Sequence, residues 1–292
     1  MPMGEQHENP GQLSCFQGEA SLQGERSYLL GYSEAEIRRL LCQAEMLRPI
    51  TERLLKRAGL CEGMRVLDMG CGMGDVTLLA AAIVGPTGFV VGVDRSGETI
   101  GLARQRASER KVGNAGFEVA ALPDMEGLKD FDAVIGRYVL VHQPDPVAFL
   151  RDILKCVKPG GLIVCHEAYP RFPICSSPPL QIWQDVGEFL RKAAAHLPGV
   201  DACEDIQQTF EQSGLRKREI YYEIPVIQHP QSELIEWVAS SARTFAPLAE
   251  ANGVEGAAVL DLPTFEQRSR DAMRKAGSHL TAWLQVCAWA II

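Results

Sequence analysis

The stretch Val66-Leu67-Asp68-Met69-Gly70-Cys71-Gly72-Met73-Gly74-Asp75 carries an apolar segment into three alternate glycines and then into a helical pattern from Val76 to Ala82. Glycines at this spacing let the backbone pass close beneath a ligand with no side chain in the way. A helix that starts there also presents unpaired N–H groups. Gly70, Cys71 and Gly72 are therefore expected to lie under something polar or negatively charged. A turn of this kind follows the first strand of dinucleotide sites as well, so the glycines alone do not choose a ligand.

The spacing and the flanking acids do choose. A dinucleotide fingerprint reads G-x-G-x-x-G, whereas this turn reads G-x-G-x-G, with Asp75 where the third glycine would let the helix pack beside a pyrophosphate. Asp68 and Asp75 would repel a pyrophosphate but can accept from an ammonium group, directly or through water. S-adenosylmethionine (SAM), with an amino-acid end and a sulfonium, suits those charges better than NAD. Asp94 ends the next apolar run, Val90 to Val93, with Arg95 beside it. An acid there can accept from both ribose hydroxyls in either nucleotide reading, the plain alternative being a helix N-cap.

Three further residues sit where later strands end. Arg137 follows the fourth strand and can hold the SAM carboxylate or brace its own loop by backbone contact, the plain alternative being a surface arginine. His142 is placed to take a proton from a hydroxyl or amine acceptor, or only to shape the pocket, since methyl transfer from a sulfonium can run on alignment alone. Glu167 ends the fifth strand and can face the acceptor, orient His142 or cap a helix. The aromatics Trp183, Phe189, Trp237, Phe245 and Phe265 are candidates for an acceptor pocket, with ordinary core the expectation for most of them.

These positions need a scaffold, and the pattern from Met64 onward supplies one. Short apolar runs at Arg65–Met69, Phe89–Val93, Gly116–Val119, Phe131–Ile135 and Leu162–Glu167 alternate with helical stretches, which implies a parallel sheet with helices on both faces. Gly85-Pro86-Thr87-Gly88 and Lys158-Pro159-Gly160-Gly161 turn into the second and fifth strands. Ahead of the sheet, residues 1 to about 25 read as a loose arm or flap. A helix capped at Ser33 is expected to break at Pro49, followed by a second from Thr51 to Ala58. Beyond Pro170, Trp183 to Ala195 and Gln231 to Ala251 read as helices, Arg218 to Ile227 as a strand, and Trp283 to Ile292 as a final strand.

The sequence resembles the class I SAM-dependent methyltransferases, and within them the small-molecule branch. VLDMGCGMGD looks like their first motif, VVGVDRS like their second acidic motif, and FDAVIGRYVLVHQPDPVAFLRDILKCVKPGGLIVCHE like the region from the fourth to the fifth strand. The resemblance implies an α/β fold: a Rossmann-like, seven-stranded, mostly parallel sheet flanked by helices, its last strand antiparallel. It further implies an N-terminal arm and helical cap over residues 1–60 and a SAM-binding domain over 61–292. Residues 170–214 and 228–280 would be substrate-cap elements, the helical C-terminal insertion. SAM would lie over the carboxyl ends of the first strands, with Tyr28 and Gln43 reaching over it from the cap. One departure is that Val119-Ala120-Ala121-Leu122-Pro123 lacks the acid that often meets the adenine amine, so backbone groups of Ala121 or Leu122 would serve instead.

Composition narrows the acceptor. With 292 residues, 46% of them apolar, and a net charge of −8, the chain can bury a large core but has no basic field with which to gather nucleic acid. Gly136-Arg137-Tyr138-Val139 stands where enzymes that methylate base or amide nitrogens have an Asn/Asp-Pro-Pro-aromatic turn. The nine cysteines lack CxxC pairing and read as reduced structural thiols, not a metal site. The expectation is a cytoplasmic SAM-dependent methyltransferase that acts on a small molecule, releases S-adenosylhomocysteine (SAH), has no membrane span, and leaves a homodimer open. The alternative is a SAM-binding protein with a non-methylating or regulatory role.

Overall fold

The computed structural model describes residues 34–121, 127–256 and 260–292. Tyr28, Ser33, Leu122 and the N-terminal arm lie outside them.

The chain enters as one long helix, α1 (Glu34–Ala58), which runs through Pro49 instead of breaking there. Proline removes one amide bond and frees the carbonyl four residues back. Pro49 and Glu45 are both exposed, so water can meet that carbonyl, while Leu47, Ile50, Leu54 and Leu55 are buried on either side of the proline. Burial on both flanks outweighs the lost bond.

Strands and helices then alternate: β1 (Arg65–Met69), α2 (Asp75–Val84), β2 (Phe89–Asp94), α3 (Gly97–Glu109), β3 (Ala115–Val119), β4 (Phe131–Arg137), α4 (Pro146–Ile153) and β5 (Val157–Tyr169). After β5 come β6 (Cys175–Ser177), α5 (Gln181–Ala194), α6 (Val200–Glu204), α7 (Ile206–Gln212), β7 (Lys217–Glu223) and β8 (Val226–Ile227). The described chain ends with α8 (Glu233–Ala251), α9 (Leu262–Ala276), β9 (His279–Thr281) and β10 (Leu284–Ile291). The main sheet has seven strands in the order β3-β2-β1-β4-β5-β10-β7. It is parallel apart from β10, which runs antiparallel to both β5 and β7. This is the α/β architecture expected from the sequence.

Side chains alternate across the sheet with the period of two that strands impose. Val66, Ala133, Ile135, Val164 and Trp289 pack with α1 and α2 on one face. Leu67, Met69, Val134, Ile163 and Val286 pack on the other with residues of α4, α5, α8 and α9. A second sheet, β6-β9-β8, ties three distant segments of the C-terminal half together. The order changes direction between β1 and β4, which opens a crevice at the carboxyl ends of those strands.

Candidate functional site

A cavity of 770 Å³ lies over that crevice. The turn leaving β1 forms its floor. Gly70, Gly72 and Gly74 have φ of +63°, +51° and +79°, a left-handed region that other residues enter only with strain. The glycines differ in what they admit. A Cβ on Gly74 would stand 2.7 Å from the Phe117 ring, so this glycine lets α2 close against β3 and α3. A Cβ on Gly72 would meet nothing within 4 Å, and Gly72 lines the cavity. The space above Gly72 is thus a cradle that a side chain would fill and that a ligand can occupy.

Asp94 meets the turn from β2. Its carboxylate accepts the Gly72 N–H and the Ser96 N–H, each at 2.9 Å, while half-exposed on the cavity wall. The N-cap of α3 is Ser96, which accepts the Thr99 N–H, so the capping alternative for Asp94 does not hold. Arg95 and Ala121 also line this end of the cavity.

The other two acids of the motif are placed differently from the sequence expectation. Asp68 is 1% exposed beneath the turn, accepts the Thr77 hydroxyl at 2.6 Å, and does not reach the cavity wall. Burial pushes its pKa up to about 7. Asp75 pairs with Arg106 at 2.5 Å, and Arg106 donates to the Met73 carbonyl. The carboxylate that spacing assigned to an ammonium thus staples α2 to α3. Cys71 is buried off the cavity and contributes its N–H to the Val93 carbonyl at 2.9 Å.

The segment after β4 supplies the opposite wall. Arg137 lines the cavity with a guanidinium whose charge burial disfavours, and its Nη1 donates to Thr51 Oγ1 at 3.3 Å. Tyr138 follows with φ +57°, uncommon for so large a residue. Its N–H donates to the His166 carbonyl, while the next two amides, of Val139 and Leu140, donate to Glu167 Oε1 at 2.9 Å each. Glu167 is 1% exposed and does not line the cavity, its carboxylate turned to the Val139 and Leu140 amides. Its role is the capping one, at the start of the 3-10 turn Leu140–His142. Burial raises its pKa to about 7. His142 lines the cavity half-buried, its pKa driven down to about 4 by burial and by the charges of Arg95 and Arg39.

Gln43 reaches the cavity from α1, as expected, and accepts from Arg39 at 3.0 Å and from the Trp237 indole at 3.2 Å. Of the candidate aromatics, Phe245 lines the cavity, whereas Trp183, Phe189, Trp237 and Phe265 are core. Sequence reasoning missed Arg39, Tyr138 and Trp283 on the wall. Arg39 is four residues before Gln43, on the same face of α1, which is a signal that was there to use.

The donor set suits SAM. An open glycine cradle shares the cavity with the Asp94 carboxylate, a group that could accept from hydroxyls, and with the Arg137 guanidinium, a group that could pair with a carboxylate. Residues 60–224 match a family profile described as "Methyltransferase domain". A demethylmenaquinone methyltransferase of Lactococcus lactis is 35% identical over 147 residues, 49% of this chain and 58% of that protein. The chain thus spans a little over half the length of that curated relative. Among solved structures, the YcgJ protein of Bacillus subtilis aligns with a TM-score of 0.53 at 19% identity, covering 82% of this chain and 97% of its own. A SAM dependent methyltransferase of Aquifex aeolicus aligns with a TM-score of 0.50 at 18% identity, covering 65% and 92%. A profile match over more than half of the chain, on a sheet of this order with this glycine turn, makes the chain a member of the methyltransferase domain family, of the class I SAM-dependent fold.

Proposed function

We propose that this protein transfers the methyl group of SAM to a small-molecule acceptor with an apolar body. The observation that carries the reading is the cavity itself, whose cofactor end holds Gly72, Asp94 and Arg137 and whose remainder is walled by Leu40, Leu197, Pro198, Phe245 and Trp283. The named activity of the Lactococcus relative, on demethylmenaquinone, supports an acceptor of apolar, ring-bearing type. SAM, when bound, supplies an electrophilic methyl on a sulfonium. The chain's own residues then hold the cofactor and align the acceptor. Gly70 and Gly72 admit the cofactor backbone, Asp94 accepts from the ribose hydroxyls, and Arg137 pairs with the carboxylate. Ala121 borders the adenine end. His142, uncharged at neutral pH, accepts a hydrogen bond or a proton from the acceptor, and the apolar wall excludes water and aligns the acceptor in line with the methyl. Residues 170–214 and 228–280 are read as the acceptor cap.

No described helix is long and apolar enough to cross a membrane. The buried Cys71, Cys156, Cys165, Cys203 and Cys287, with no disulfide among the described cysteines, suit a reducing cytoplasm. Sedimentation measures whether the enzyme works as a homodimer. The decisive test is thermal: SAM and SAH should raise the melting temperature while NAD and NADP leave it unchanged. Equal stabilisation by NAD would refute the cofactor assignment. SAH release with a panel of phenols, amines and carboxylic acids then separates methyl transfer from mere binding.

A further inference from the structure

Arg137 makes no ion pair within 4 Å among the described residues, and its guanidinium donates to a single hydroxyl, Thr51 Oγ1. A guanidinium held at one point keeps its direction only if that point is itself fixed. Thr51 is fixed, and the direction of every bond that fixes it can be deduced.

Gln285 sets the polarity. Its Nε2 donates to the Trp283 carbonyl at 2.9 Å, which leaves Oε1 to accept from the Tyr138 hydroxyl at 2.7 Å and from His166 Nε2 at 3.1 Å. His166 therefore carries its proton on Nε2 and offers Nδ1 as an acceptor. Thr51 Oγ1 lies 2.9 Å from that Nδ1 and 3.0 Å from the Leu47 carbonyl. The Leu47 carbonyl already accepts the helix's own bond, whereas Nδ1 has no other donor among the described residues. The hydroxyl proton goes to Nδ1, and its lone pairs face the Arg137 N–H. Thr51, His166 and Gln285 are 1%, 1% and 0% exposed, so water cannot take over a missing link. Burial and the nearby Arg137 also keep His166 unprotonated, its pKa pushed down to about 3.

We infer that Thr51 is a positioning residue for the cofactor: its hydroxyl, oriented through His166 and Gln285, aims the Arg137 guanidinium at the carboxylate of SAM. This rests on the assignment of Arg137 to that carboxylate. Thr51, on α1, and Gln285, on β10, both lie outside residues 60–224, so the chain brings this support from segments beyond the family match.

Calorimetry with two ligands tests it. SAH has the amino-acid end, and 5′-methylthioadenosine has the same nucleoside without it. Thr51→Val should weaken SAH binding by roughly 3- to 10-fold and change 5′-methylthioadenosine binding by less than about 2-fold, the loss of one hydrogen bond felt only at the carboxylate. Thr51→Ser, which keeps the hydroxyl, should restore SAH binding. In turnover, Thr51→Val should raise the KM for SAM and leave kcat unchanged. Equal weakening of both ligands, no weakening of either, or failure of Thr51→Ser to restore binding would each overturn the role of Thr51. If Thr51→Val does not fold, Thr51→Ala is read by the same comparison. A wild-type protein that binds neither ligand would overturn the cofactor assignment itself, an outcome distinct from those that reject Thr51 alone.

Discussion

Asp94 and His142 illustrate how far a single side chain can be read. Asp94→Ala should weaken SAM binding by about 1.5–3 kcal/mol, measured calorimetrically, because charge-assisted bonds to the ribose are lost. Asp94 also accepts the Gly72 and Ser96 amides, so a small fall in melting temperature should accompany the loss without unfolding. An unchanged dissociation constant in a folded variant would leave Asp94 a loop brace alone. For His142, a pKa near 4 means a neutral ring throughout the physiological range and a weaker base than an ordinary imidazole. His142→Ala should therefore lower the methylation rate by less than about 10-fold, and the wild-type rate should show no inflection near pH 6.5. An inflection there that vanishes in His142→Ala would establish general-base catalysis. A folded pKa below the unfolded one also makes stability depend on this ring. The contribution is whole above about pH 6.5 and is lost as pH falls toward 4.

At the scale of elements, the glycine turn and the segment after β4 make separate predictions. Gly74→Ala combines a positive φ with a collision against Phe117 and should destabilise the fold by about 2–4 kcal/mol in denaturant titrations. Gly72→Ala meets open space, so its stability cost should be that of backbone strain, about 1–2 kcal/mol, while SAM binding is lost as the methyl fills the cradle. Both glycines were legible in the sequence as a motif, but their division of labour was not, since Phe117 lies 43 positions from Gly74 along the chain. The same blindness misassigned Asp75, whose partner Arg106 is brought beside it only when α2 and α3 dock. Glu167 was legible as a strand-end acid. What it meets depended on the left-handed Tyr138, which turns two amides toward it, and nothing local in Tyr138 announces that conformation. A folded pKa raised to about 7 gives Glu167 a contribution present below its unfolded value and lost as pH rises through 7. Glu167→Gln should remove that dependence, so its stability relative to wild type should rise between about pH 5 and pH 8 in urea titrations.

For the molecule as a whole, the alternation of strands and helices made the parallel sheet legible, because each buried strand is a continuous apolar run. The helices after Pro170 were less so. α5, α8 and α9 bury aromatic residues against one another and against one face of the sheet, and periodicity cannot say which aromatic of such a helix meets a cavity. Phe245 does and Trp237 does not, though both lie on α8. The strand order has a consequence for how the chain is made. β10, the last strand of the described chain, lies between β5 and β7, and its neighbours on either side are complete by Glu223. A ribosome emitting this chain therefore holds two unsatisfied strand edges for some sixty residues of synthesis, a hazard for misassociation that only the final segment removes. The same segment delivers the Trp283 wall of the cavity and Gln285, the anchor of the His166–Thr51 chain, so a nascent chain cannot complete the cavity before it closes its sheet.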